Sequence, residues 1–578
     1  MIKKVLLFVV LISAVQISAQ SDMTKLSAKV INAVNSGAQS LDVWIDLTDK
    51  GNETAYLMAN PDLYLTQKSI ERRKKYGIAI NYTDLPLNDS YVSALEEKGA
   101  VIRKKSKWLN AVSASIKVSD LSRFTSLSFV KKIDLIAKMK SDKPKSFEEP
   151  LPELSKSGNT GNPVPQYNLN YGESLAQLEI SQIPAVHDLG YAGQGITIAM
   201  MDAGFNKLSH EVFDSMNVAH TWDFVNNDPD VGDGGMGNGT HGTYTLSAIG
   251  SYKQGILVGP AYRSTYLLAK TENTDSETPL EEDNWIAAAE WADSLGADIT
   301  STSLVYLDFD PPYVSYTWQD MDGNTPRITR GADLAVSKGI AVFNSAGNYG
   351  FNSDHNTIAA PADGDSVITI GSVTIDGLRS GFSSVGNTVD GRTKPDLMAR
   401  GSSVISASPS SNSSYTYTSG TSLSCPIAAG AGALLLQARP HLTPIQLRDA
   451  LKANATNSNS PNREYGWGII KLLDAINNTP SSNKDENPAE LKTFSLKGNY
   501  PNPFNPSTRI RFEVGVTADL KLEVYNTSGE LIAVLANQTF SAGVYEYNFN
   551  AQGLSSGVYL VRLSNLTENK MLKITLLK

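Results

Sequence analysis

The sequence predicts a central α/β domain built on a parallel β-sheet, with a small α+β domain before it and a small antiparallel β-sandwich after it. Between residues 171 and 478, apolar runs such as 195–201 and 297–302 alternate with helical segments. This alternation is typical of a parallel sheet covered by helices on both faces. From residue 494 onward the chain shows short alternating strands separated by turns, which predicts the sandwich. A chain of 578 residues is also too long for one core.

Composition argues against several classes of function. The net charge is −9 and no basic stripe is present, so we expect no nucleic-acid partner. The chain contains a single cysteine, Cys425, and no intramolecular disulfide can form. We interpret Cys425 as a small apolar core residue and not as a nucleophile. Beyond the N-terminal segment no run approaches the length of a membrane span, so we expect no transmembrane segment.

Residues 1–19 have the pattern of a secretory signal peptide. Lys3 and Lys4 precede an apolar run over 5–15, and small residues follow up to Ala19. A short basic region, an apolar core and a small residue at the break are the three parts of such a signal. We predict cleavage after Ala19 and export of the mature chain.

Residues 20–165 predict a small α+β domain followed by a linker. The region from 139 to 166 is rich in Lys, Pro and Ser, a composition that cannot pack a core. We expect the four basic residues within 69–76 to form a solvated helix face. A small domain, a cleavable linker and a large domain are the layout of a propeptide. The predicted strands are 41–47, 101–106, 111–118 and 130–135, and the predicted helices are 69–76, 90–98 and 121–127.

In the central domain, strands and helices are expected to alternate along the chain. In parallel sheets the functional residues gather where strands end and helices begin. The predicted strands are 195–201, 264–270, 297–302, 340–344 and 367–373, and the predicted helices are 283–295 and 328–338.

The most informative stretch of the central domain is 417–440. From Ser422 the chain carries no charge until Arg439 and is apolar on every side, which predicts a helix buried all round. Ser422 therefore lies at the start of a buried helix, beside unpaired N–H groups and the positive end of the helix dipole. Taken alone, Ser422 is more readily explained as a helix cap than as a reactive residue.

Three further residues carry side chains suited to chemistry. Asp202 follows an apolar strand, His241 lies between glycine-bearing turns, and Asn348 follows another strand. Each has an ordinary explanation as a turn residue or a structural histidine. Together they provide what acyl transfer needs: a base for the Ser422 hydroxyl, a carboxylate that orients the base, and an amide donor for the oxyanion.

The order Asp, His, Ser with these flanking residues resembles the subtilase family of serine endopeptidases. The matching segments are 198–204, 238–243, 345–348 and 420–426. The resemblance implies a subtilisin-like fold, a catalytic triad of Asp202, His241 and Ser422, and Asn348 as oxyanion donor. It also implies that protein or peptide substrates bind in extended form beside two segments. These segments comprise Ser303, Leu304, Ser345, Ala346 and Gly347.

The chain departs from the family pattern near the predicted specificity pocket. Val305 stands where the family usually has Gly, and an insertion-like segment rich in aromatic residues and Asp follows over 306–327. Leu423 and Ile427 replace the usual Met and His in the serine motif. These two changes keep core-packing chemistry, so we expect activity to survive them.

The same resemblance makes the N-terminal domain a propeptide that inhibits its own enzyme and assists its folding. The chemistry needs no cofactor, and the resemblance leaves calcium binding open. Asp228, Asp230 and Asp233 share one loop that offers oxygen ligands without a complete ligand pattern. We interpret this loop as a solvated acidic turn and predict no metal site.

The C-terminal region begins with a polar linker over 479–493, and 494–578 follows as the predicted sandwich. Its strands are predicted at 509–514, 520–525, 531–536, 544–549, 558–563 and 571–576. Segments 498–506, 554–559 and 570–578 resemble the C-terminal sorting domain of the type IX secretion pathway of Gram-negative bacteria. The resemblance implies passage through the periplasm and delivery outside the cell by the type IX machinery. Without it, the domain would be interpreted as an accessory binding module.

The sequence therefore predicts a secreted serine endopeptidase made as an autoinhibited precursor. A serine-carboxyl peptidase, which uses Glu in place of His, is disfavoured by the setting of His241. A catalytically inactive surface adhesin on a peptidase fold is the alternative from another functional class, and the presence of all three triad residues disfavours it.

Overall fold

A computed structural model describes residues 23–136, 167–310, 313–481, 494–514, 518–540, 543–565 and 569–577. These residues belong to two units, one ending at Ser481 and the other beginning at Ser482. The predicted signal peptide, the linker over 139–166 and most of the linker over 479–493 lie outside the described residues.

The N-terminal domain contains a four-stranded antiparallel sheet in the order β2-β3-β1-β4. Helices cover its apolar face around Val43, Leu95 and Phe124, which are all fully buried. Every predicted strand and helix of this domain is present with ends shifted by at most two residues, and α1 and α2 are additional. The elements are α1 (Ala28–Asn35), β1 (Ser40–Leu47), α2 (Thr54–Ala59), α3 (Gln67–Lys75), α4 (Asp89–Glu97), β2 (Val101–Ser106), β3 (Ala111–Lys117), α5 (Leu121–Thr125) and β4 (Val130–Leu135).

A long connection between β1 and α4, residues 48–88, contains α2 and α3; we call it the arm. The prediction that the four basic residues within 69–76 form a solvated face is wrong for Arg72 and Arg73, whereas Lys74 and Lys75 are exposed as predicted. Arg72 and Arg73 are 3% and 1% exposed, because both guanidinium groups bond to Asp293 of the central domain. A buried arginine needs such a carboxylate partner, and the partner lies far away in the sequence.

The central domain contains a seven-stranded sheet in the order β13-β12-β11-β10-β5-β9-β6, and all six pairings are parallel. The predicted strands and helices are confirmed, whereas β6 and β13 were not predicted. The elements are α6 (Leu175–Glu179), α7 (Ile183–Asp188), β5 (Thr197–Asp202), β6 (Asn217–Asp223), α8 (Thr240–Gly250), β7 (Tyr252–Lys253), β8 (Leu257–Val258), β9 (Thr265–Lys270), α9 (Leu280–Leu295), β10 (Ile299–Thr302), α10 (Arg327–Ser337), β11 (Ala341–Ser345), β12 (Ile368–Val373), β13 (Leu397–Arg400), β14 (Val404–Ala407), β15 (Tyr415–Thr418), α11 (Thr421–Ala438), α12 (Pro444–Ala453) and α13 (Leu472–Asn478).

Helices cover both faces of this sheet, which explains why its strands are apolar throughout. Along β5, Ile198 and Met200 belong to the cluster that includes residues of α8 and α11. The next residue, Met201, belongs to the cluster on the other face of the sheet, with Trp285 of α9 and Ile328 of α10. Because successive strand residues point to opposite faces, both sets must be apolar.

All seven strands run in one direction, so they all begin on one side of the sheet and all end on the opposite side. We call these two sides edges. At the edge we call the carboxyl edge, β5, β10 and β11 end at Asp202, Thr302 and Ser345. At the opposite amino edge the same strands begin. In sheets of this kind ligands bind at the carboxyl edge, and every residue predicted to be catalytic lies there.

Among the described residues one helix, α11, is long and apolar enough to cross a membrane. In this fold 89% of it is buried inside the protein. Its composition is therefore that of a core helix packed against the central sheet, as the sequence predicts.

The C-terminal domain consists of two antiparallel sheets, in the orders β16-β17-β20 and β19-β18-β21-β22. Phe512 of one sheet and Val561 of the other belong to one buried cluster, so the predicted sandwich is confirmed. The first strand was not predicted. The strands are β16 (Phe494–Tyr500), β17 (Ser507–Val514), β18 (Ala518–Asn526), β19 (Leu531–Phe540), β20 (Gly543–Asn550), β21 (Gly557–Ser564) and β22 (Asn569–Leu576).

Candidate active site

The predicted catalytic residues come from four different elements at the carboxyl edge. Asp202 is the last residue of β5, and His241 lies in the first turn of α8. Ser422 lies in the first turn of α11, and Asn348 follows the end of β11. Functional side chains at strand ends and helix starts are held by rigid elements, which suits chemistry that needs fixed geometry.

The closest contact within this group joins His241 to Asp202. Nδ1 of His241 lies 2.6 Å from Oδ1 of Asp202. Oδ1 also accepts a hydrogen bond from the backbone N–H of Ala203 at 2.8 Å, and Oδ2 accepts one from Oγ1 of Thr245 at 2.8 Å. The carboxylate is completely buried and both its oxygens are occupied, so its position is fixed. A carboxylate acceptor at Nδ1 places the proton there and leaves the lone pair on Nε2.

Glycines allow the loop after Asp202 to pack directly against the start of α8. A Cβ atom at Gly242 would lie 2.0 Å from the carbonyl oxygen of Gly204. One at Gly239 would lie 2.5 Å from the backbone nitrogen of Phe205. Neither position can carry a side chain without moving backbone, and the glycines beside His241 are explained by this close approach.

Ser422 does not cap α11, so the interpretation as a helix cap is wrong. The cap position of the helix is Gly420, which has no side chain to act as a cap, and the backbone N–H of Thr421 donates to Asn348 instead. Ser422 is 8% exposed, and its Oγ donates to the carbonyl oxygen of Ser303 at 3.2 Å. In return Oγ of Ser303 donates to the carbonyl oxygen of Ser422 at 2.8 Å. These two bonds hold the start of α11 beside the end of β10.

The amide of Asn348 has a defined orientation. Its Oδ1 accepts hydrogen bonds from the backbone N–H and from Oγ1 of Thr421, both at 2.9 Å. The opposite orientation would place an NH₂ group against these two donors, so it is excluded. Nδ2 consequently lies beside Gly420, where a Cβ atom would be 3.6 Å from it. An amide donor therefore lies next to the backbone that leads into Ser422.

The two predicted substrate-binding segments lie side by side at the ends of β10 and β11. Ser303 and Leu304 continue from β10, which pairs with β11. Nδ2 of Asn344 donates to the carbonyl oxygens of Leu304 at 3.1 Å and Ser345 at 2.9 Å, and so ties the segments together. Ser345, Ala346 and Gly347 are buried, and Gly347 has a φ of 105°, which favours glycine.

The insertion-like segment 306–327 is anchored to the domain and shapes a cavity. Tyr306 is completely buried and exchanges two backbone hydrogen bonds with Ala360, of 2.8 and 3.1 Å. Val305, at the position where Gly was expected, is half-buried. The cavity has a volume of about 260 Å³ and reaches Tyr349, the residue after Asn348. It is lined by Leu307, Trp318, Tyr349, Phe351, Asn352, His355, Asn356, Thr357 and Ile358.

A group of three acidic residues close to Asp202 was not identified from the sequence. The carboxylates of Glu272, Glu277 and Glu281 lie within 4.8 Å of one another. Burial raises the pKa of each, and the neighbouring carboxylates add to this rise. The hydroxyl of Tyr306 donates to Glu272. The only sequence signal was the density of acidic residues over 272–283, which also suits a solvated surface.

The loop containing Asp228, Asp230 and Asp233 does not fit a calcium site. Oδ1 of Asp233 accepts from Gly239 N–H at 2.8 Å, and Asp228 and Asp230 each accept a backbone N–H within their own turns. The ammonium of Lys270 bonds to the carbonyl oxygens of Gly232 and Met236 at 3.1 and 2.9 Å. Because a protein cation already occupies these carbonyls, the loop lacks the oxygens that calcium would need.

Cys425 is a core residue in the same helix as Ser422. It is completely buried, and burial raises the pKa of its thiol to about 12. Its Sγ donates to the carbonyl oxygen of Thr302 at 3.4 Å. A buried thiol that keeps its proton is not nucleophilic, so the prediction that it is not a nucleophile is confirmed.

Three family models match three separate parts of the chain. Residues 193–468 match the subtilase family, and 42–150 match the peptidase S8 propeptide domain of Bacteroidota. Residues 499–576 match a secretion system C-terminal sorting domain.

Several subtilisins are also similar to large parts of the chain. Subtilisin NAT of Bacillus subtilis subsp. natto is 29% identical over 406 residues, which is 69% of this chain and 89% of the relative. Subtilisin of Bacillus pumilus is 32% identical over 296 residues, 51% of this chain and 96% of the relative. A crystal structure of a cold-adapted subtilisin-like serine proteinase is 27% identical, covers 49% of this chain and 88% of its own, and has a TM-score of 0.37.

Proposed function

The chain belongs to the subtilase family of serine endopeptidases, and from this we propose that it hydrolyses peptide bonds in proteins with Asp202, His241 and Ser422 as its triad. Asn348 is the oxyanion donor. The observation that carries the proposal is the 2.6 Å contact between His241 Nδ1 and a completely buried, fully hydrogen-bonded Asp202. A base oriented in this way is what an unactivated serine requires.

Acylation begins when Ser422 Oγ exchanges its acceptor, the carbonyl oxygen of Ser303, for Nε2 of His241. Oγ attacks the carbonyl carbon of the scissile peptide bond while Nε2 takes its proton. Asp202 stays ionised and stabilises the imidazolium. The negative oxygen that forms accepts hydrogen bonds from Nδ2 of Asn348 and from the backbone N–H of Ser422, at the positive end of the α11 dipole.

The rest of the reaction has two stages: breakdown of the tetrahedral intermediate to an ester, and hydrolysis of that ester. The C–N bond breaks, and the leaving amine takes the proton from Nε2 of His241, which leaves an ester on Ser422. Water gives a proton to Nε2 and attacks the ester carbonyl, and the second intermediate releases the new carboxyl group. Ser422 regains its proton from His241, so the site returns to its starting state. No step requires a cofactor.

Substrate specificity is assigned to the segments beside the oxyanion donor. Ser303, Leu304, Ser345, Ala346 and Gly347 line the extended substrate. The cavity that Tyr349, the residue after Asn348, helps to line receives a large apolar side chain of that substrate. Its aromatic lining, with Trp318 and Phe351 partly exposed to it, supports this assignment, and its volume suits a side chain more than a whole small molecule.

The other domains control when and where the peptidase acts. The chain carries a subtilase propeptide and a secretion sorting domain, so the enzyme is secreted or attached to the cell surface. We assign residues 1–19 to a signal peptide, 20–165 to the inhibitory propeptide with its linker, and 171–478 to the peptidase domain. The linker 479–493 then joins it to a sorting domain at 494–578. The route runs through the periplasm and the type IX machinery.

The proposal is tested by replacing Ser422 with Ala in the full-length chain. Loss of the triad serine costs several orders of magnitude in rate, so Ser422→Ala should abolish casein hydrolysis and labelling by a fluorophosphonate. Ser424→Ala, two residues further along the same buried helix, is the matched control and should keep both. Casein hydrolysis that persists in Ser422→Ala contradicts the proposal and indicates another nucleophile. A wild-type chain that neither hydrolyses casein nor is labelled favours the inactive binding protein.

A further inference from the structure

The N-terminal domain contacts the peptidase domain in two separate places. Its sheet lies against α9, where Trp44 Nε1 donates to Asp283 at 2.9 Å, and Glu290 accepts the backbone N–H of Lys107 at 2.8 Å. Its arm reaches further, and α3 lies at the amino edge of the central sheet. This edge is opposite the one that holds Ser422 and His241, so the arm has no part in covering the active site.

Helix α3 touches the starts of three neighbouring strands. Nζ of Lys68 lies 3.1 Å from Asp298, directly before β10, and bonds to Thr197, the first residue of β5. Nε of Arg72 donates to the carbonyl oxygen of Lys338 at 3.2 Å, three residues before β11 begins. Since β11, β10 and β5 are adjacent in the sheet, one helix of the arm bridges its three central strands.

Charges on the two domains complement each other at this contact. Asp293 of the peptidase domain bonds to Arg72 and Arg73 of the arm, the latter at 2.8 Å. Lys338 of the peptidase domain lies 3.0 Å from Asp84 of the arm. All five side chains are at most 3% exposed. Buried charges of opposite sign fix the register of an interface and exclude other pairings.

Two glycines allow the arm to approach the amino edge closely. A Cβ atom at Gly296, after α9, would lie 2.8 Å from Cβ of Lys68. One at Gly339, after α10, would lie 3.0 Å from the ring of Tyr76. Both glycines also have positive φ values, 85° and 91°, at the ends of helices. The surface that the arm covers is therefore shaped to let it approach.

We propose that the arm is a clamp: a second docking site that holds the N-terminal domain on the amino edge after the linker has been cut. The proposal rests on the proposed peptidase function, because the cut is made by the enzyme itself. In every contact named above, the residue of the N-terminal domain lies before residue 137 and its partner lies in the peptidase domain, so cutting the linker removes none of these contacts. The sheet and the arm belong to one domain. When either of them detaches from the peptidase domain, the other remains bound and keeps the detached part close to its site, at a high local concentration. Release is therefore slow, and inhibition outlasts cleavage.

The experiment follows maturation of the full-length chain carrying Arg72→Met. Gel electrophoresis gives the time of linker cleavage, and a peptide substrate gives the time at which activity appears. Asp293 keeps Arg73 and Lys107 as partners in this variant, so no charge is left alone. Lys74→Met is the matched control, because Lys74 is on the same helix and exposed. We expect the delay between cleavage and activity to shorten at least 10-fold in Arg72→Met and to stay within about 2-fold in Lys74→Met. Equal delays in both variants overturn the clamp.

Two further measurements keep the test decisive. If Arg72→Met does not fold, Lys68→Met replaces it, since this side chain is 40% exposed. An unchanged delay in Lys68→Met then counts against the clamp. Hydrogen exchange of the full chain with Ser422→Ala needs no activity. Adding Arg72→Met should speed exchange at the starts of β5, β10 and β11, and adding Lys74→Met should not. Unchanged exchange overturns the clamp, whereas a wild-type chain without peptidase activity overturns only the proposed function.

Discussion

Oδ1 of Asn348 accepts two hydrogen bonds from a single residue, Thr421, one from its backbone N–H and one from its hydroxyl. The residue directly before Ser422 thus orients the amide that is to bind the oxyanion. The two halves of the oxyanion site are coupled through Thr421.

Thr421→Val should lower kcat about 5-fold and leave KM unchanged. It removes one neutral hydrogen bond, worth about 1 kcal/mol, and leaves the backbone donor in place.

Asn348→Ala should reduce kcat by about 10²–10³, the loss found for the corresponding donor in subtilisin. Steady-state kinetics on one peptide give both values. The double variant should be no slower than Asn348→Ala, because Thr421 acts through the amide; a further loss would show that it acts elsewhere.

Asp202→Asn should reduce kcat about 10⁴-fold while the protein stays folded. The amide presents NH₂ or a neutral oxygen to Nδ1 and no longer stabilises the imidazolium. Kinetics and thermal unfolding of the same sample separate the two effects. Thr245→Val removes only the hydroxyl donor to Oδ2 of Asp202. This milder variant should reduce kcat about 10-fold. Full activity in Asp202→Asn would contradict the assigned role of the carboxylate.

Gly242→Ala should destabilise the peptidase domain even though alanine is the better helix former. Its Cβ would lie 2.0 Å from the carbonyl oxygen of Gly204, and backbone cannot move aside as a side chain does. Overpacking of this kind costs about 1–3 kcal/mol. Gly381→Ala is the control, since a Cβ there meets nothing within 4 Å. Thermal unfolding in the Ser422→Ala background avoids autolysis, and equal melting temperatures for both variants would refute the close-packing argument.

Trp318→Ala should reduce kcat/KM for peptides with a large apolar residue at the cavity and leave alanine peptides unaffected. A filled apolar pocket contributes about 1–3 kcal/mol, so we expect a loss of about 10-fold or more. A peptide library profiled with both proteins gives the selectivity directly. A uniform loss across the library would mean that Trp318 only stabilises the fold.

Docking of the N-terminal domain should weaken as pH rises from about 4 to 7. Burial raises the pKa of Asp283 to about 7, and separation of the domains returns it toward about 3.9. The docked form therefore holds a proton that the separated form has lost, so docking is favoured at the acid end. Size-exclusion chromatography of the cleaved protein should show the domain retained at pH 5 and released faster at pH 8. Asp283→Asn, which keeps an acceptor for Trp44, should reduce this dependence.

The pKa of Asp293 is shifted in the opposite direction, but this does not change the pH range over which docking weakens. Burial raises its pKa, but Arg72, Lys107 and Arg73 together outweigh burial and lower it. A depressed carboxylate contributes its stability above its ordinary pKa and loses it only at lower pH. Between pH 5 and 8 its contribution is constant, so equal retention at both pH values would contradict the role given to Asp283.

The strands and helices that face a core could be predicted from the sequence, because their patterns are local. The run ending at Asp202 is apolar throughout and predicts β5. β6, which runs from Asn217 to Asp223, is one of the two outermost strands of the sheet; only one of its residues is buried, and it carries no such pattern. The residues proposed to be catalytic could be identified because glycines and short motifs surround each of them.

The partners of buried charges could not be predicted in the same way. Arg72 and Asp293 are 221 residues apart, and nothing near Arg72 in the sequence signals a buried carboxylate. A basic helix is usually solvated, and only the fold shows that the face of α3 with Arg72 and Arg73 is covered. Glu272, Glu277 and Glu281 were missed for the same reason, since their burial depends on packing against residues such as Tyr306.

The two edges of the central sheet are assigned to two different properties of the enzyme, the rate of hydrolysis and the length of the latent period. Under the two proposals, substitutions at the carboxyl edge should change the rate of peptide-bond hydrolysis. Substitutions where α3 meets the amino edge should change the delay between linker cleavage and activity. A protein engineer could therefore lengthen or shorten the latent period without altering turnover, and natural variants could diverge in one property while keeping the other.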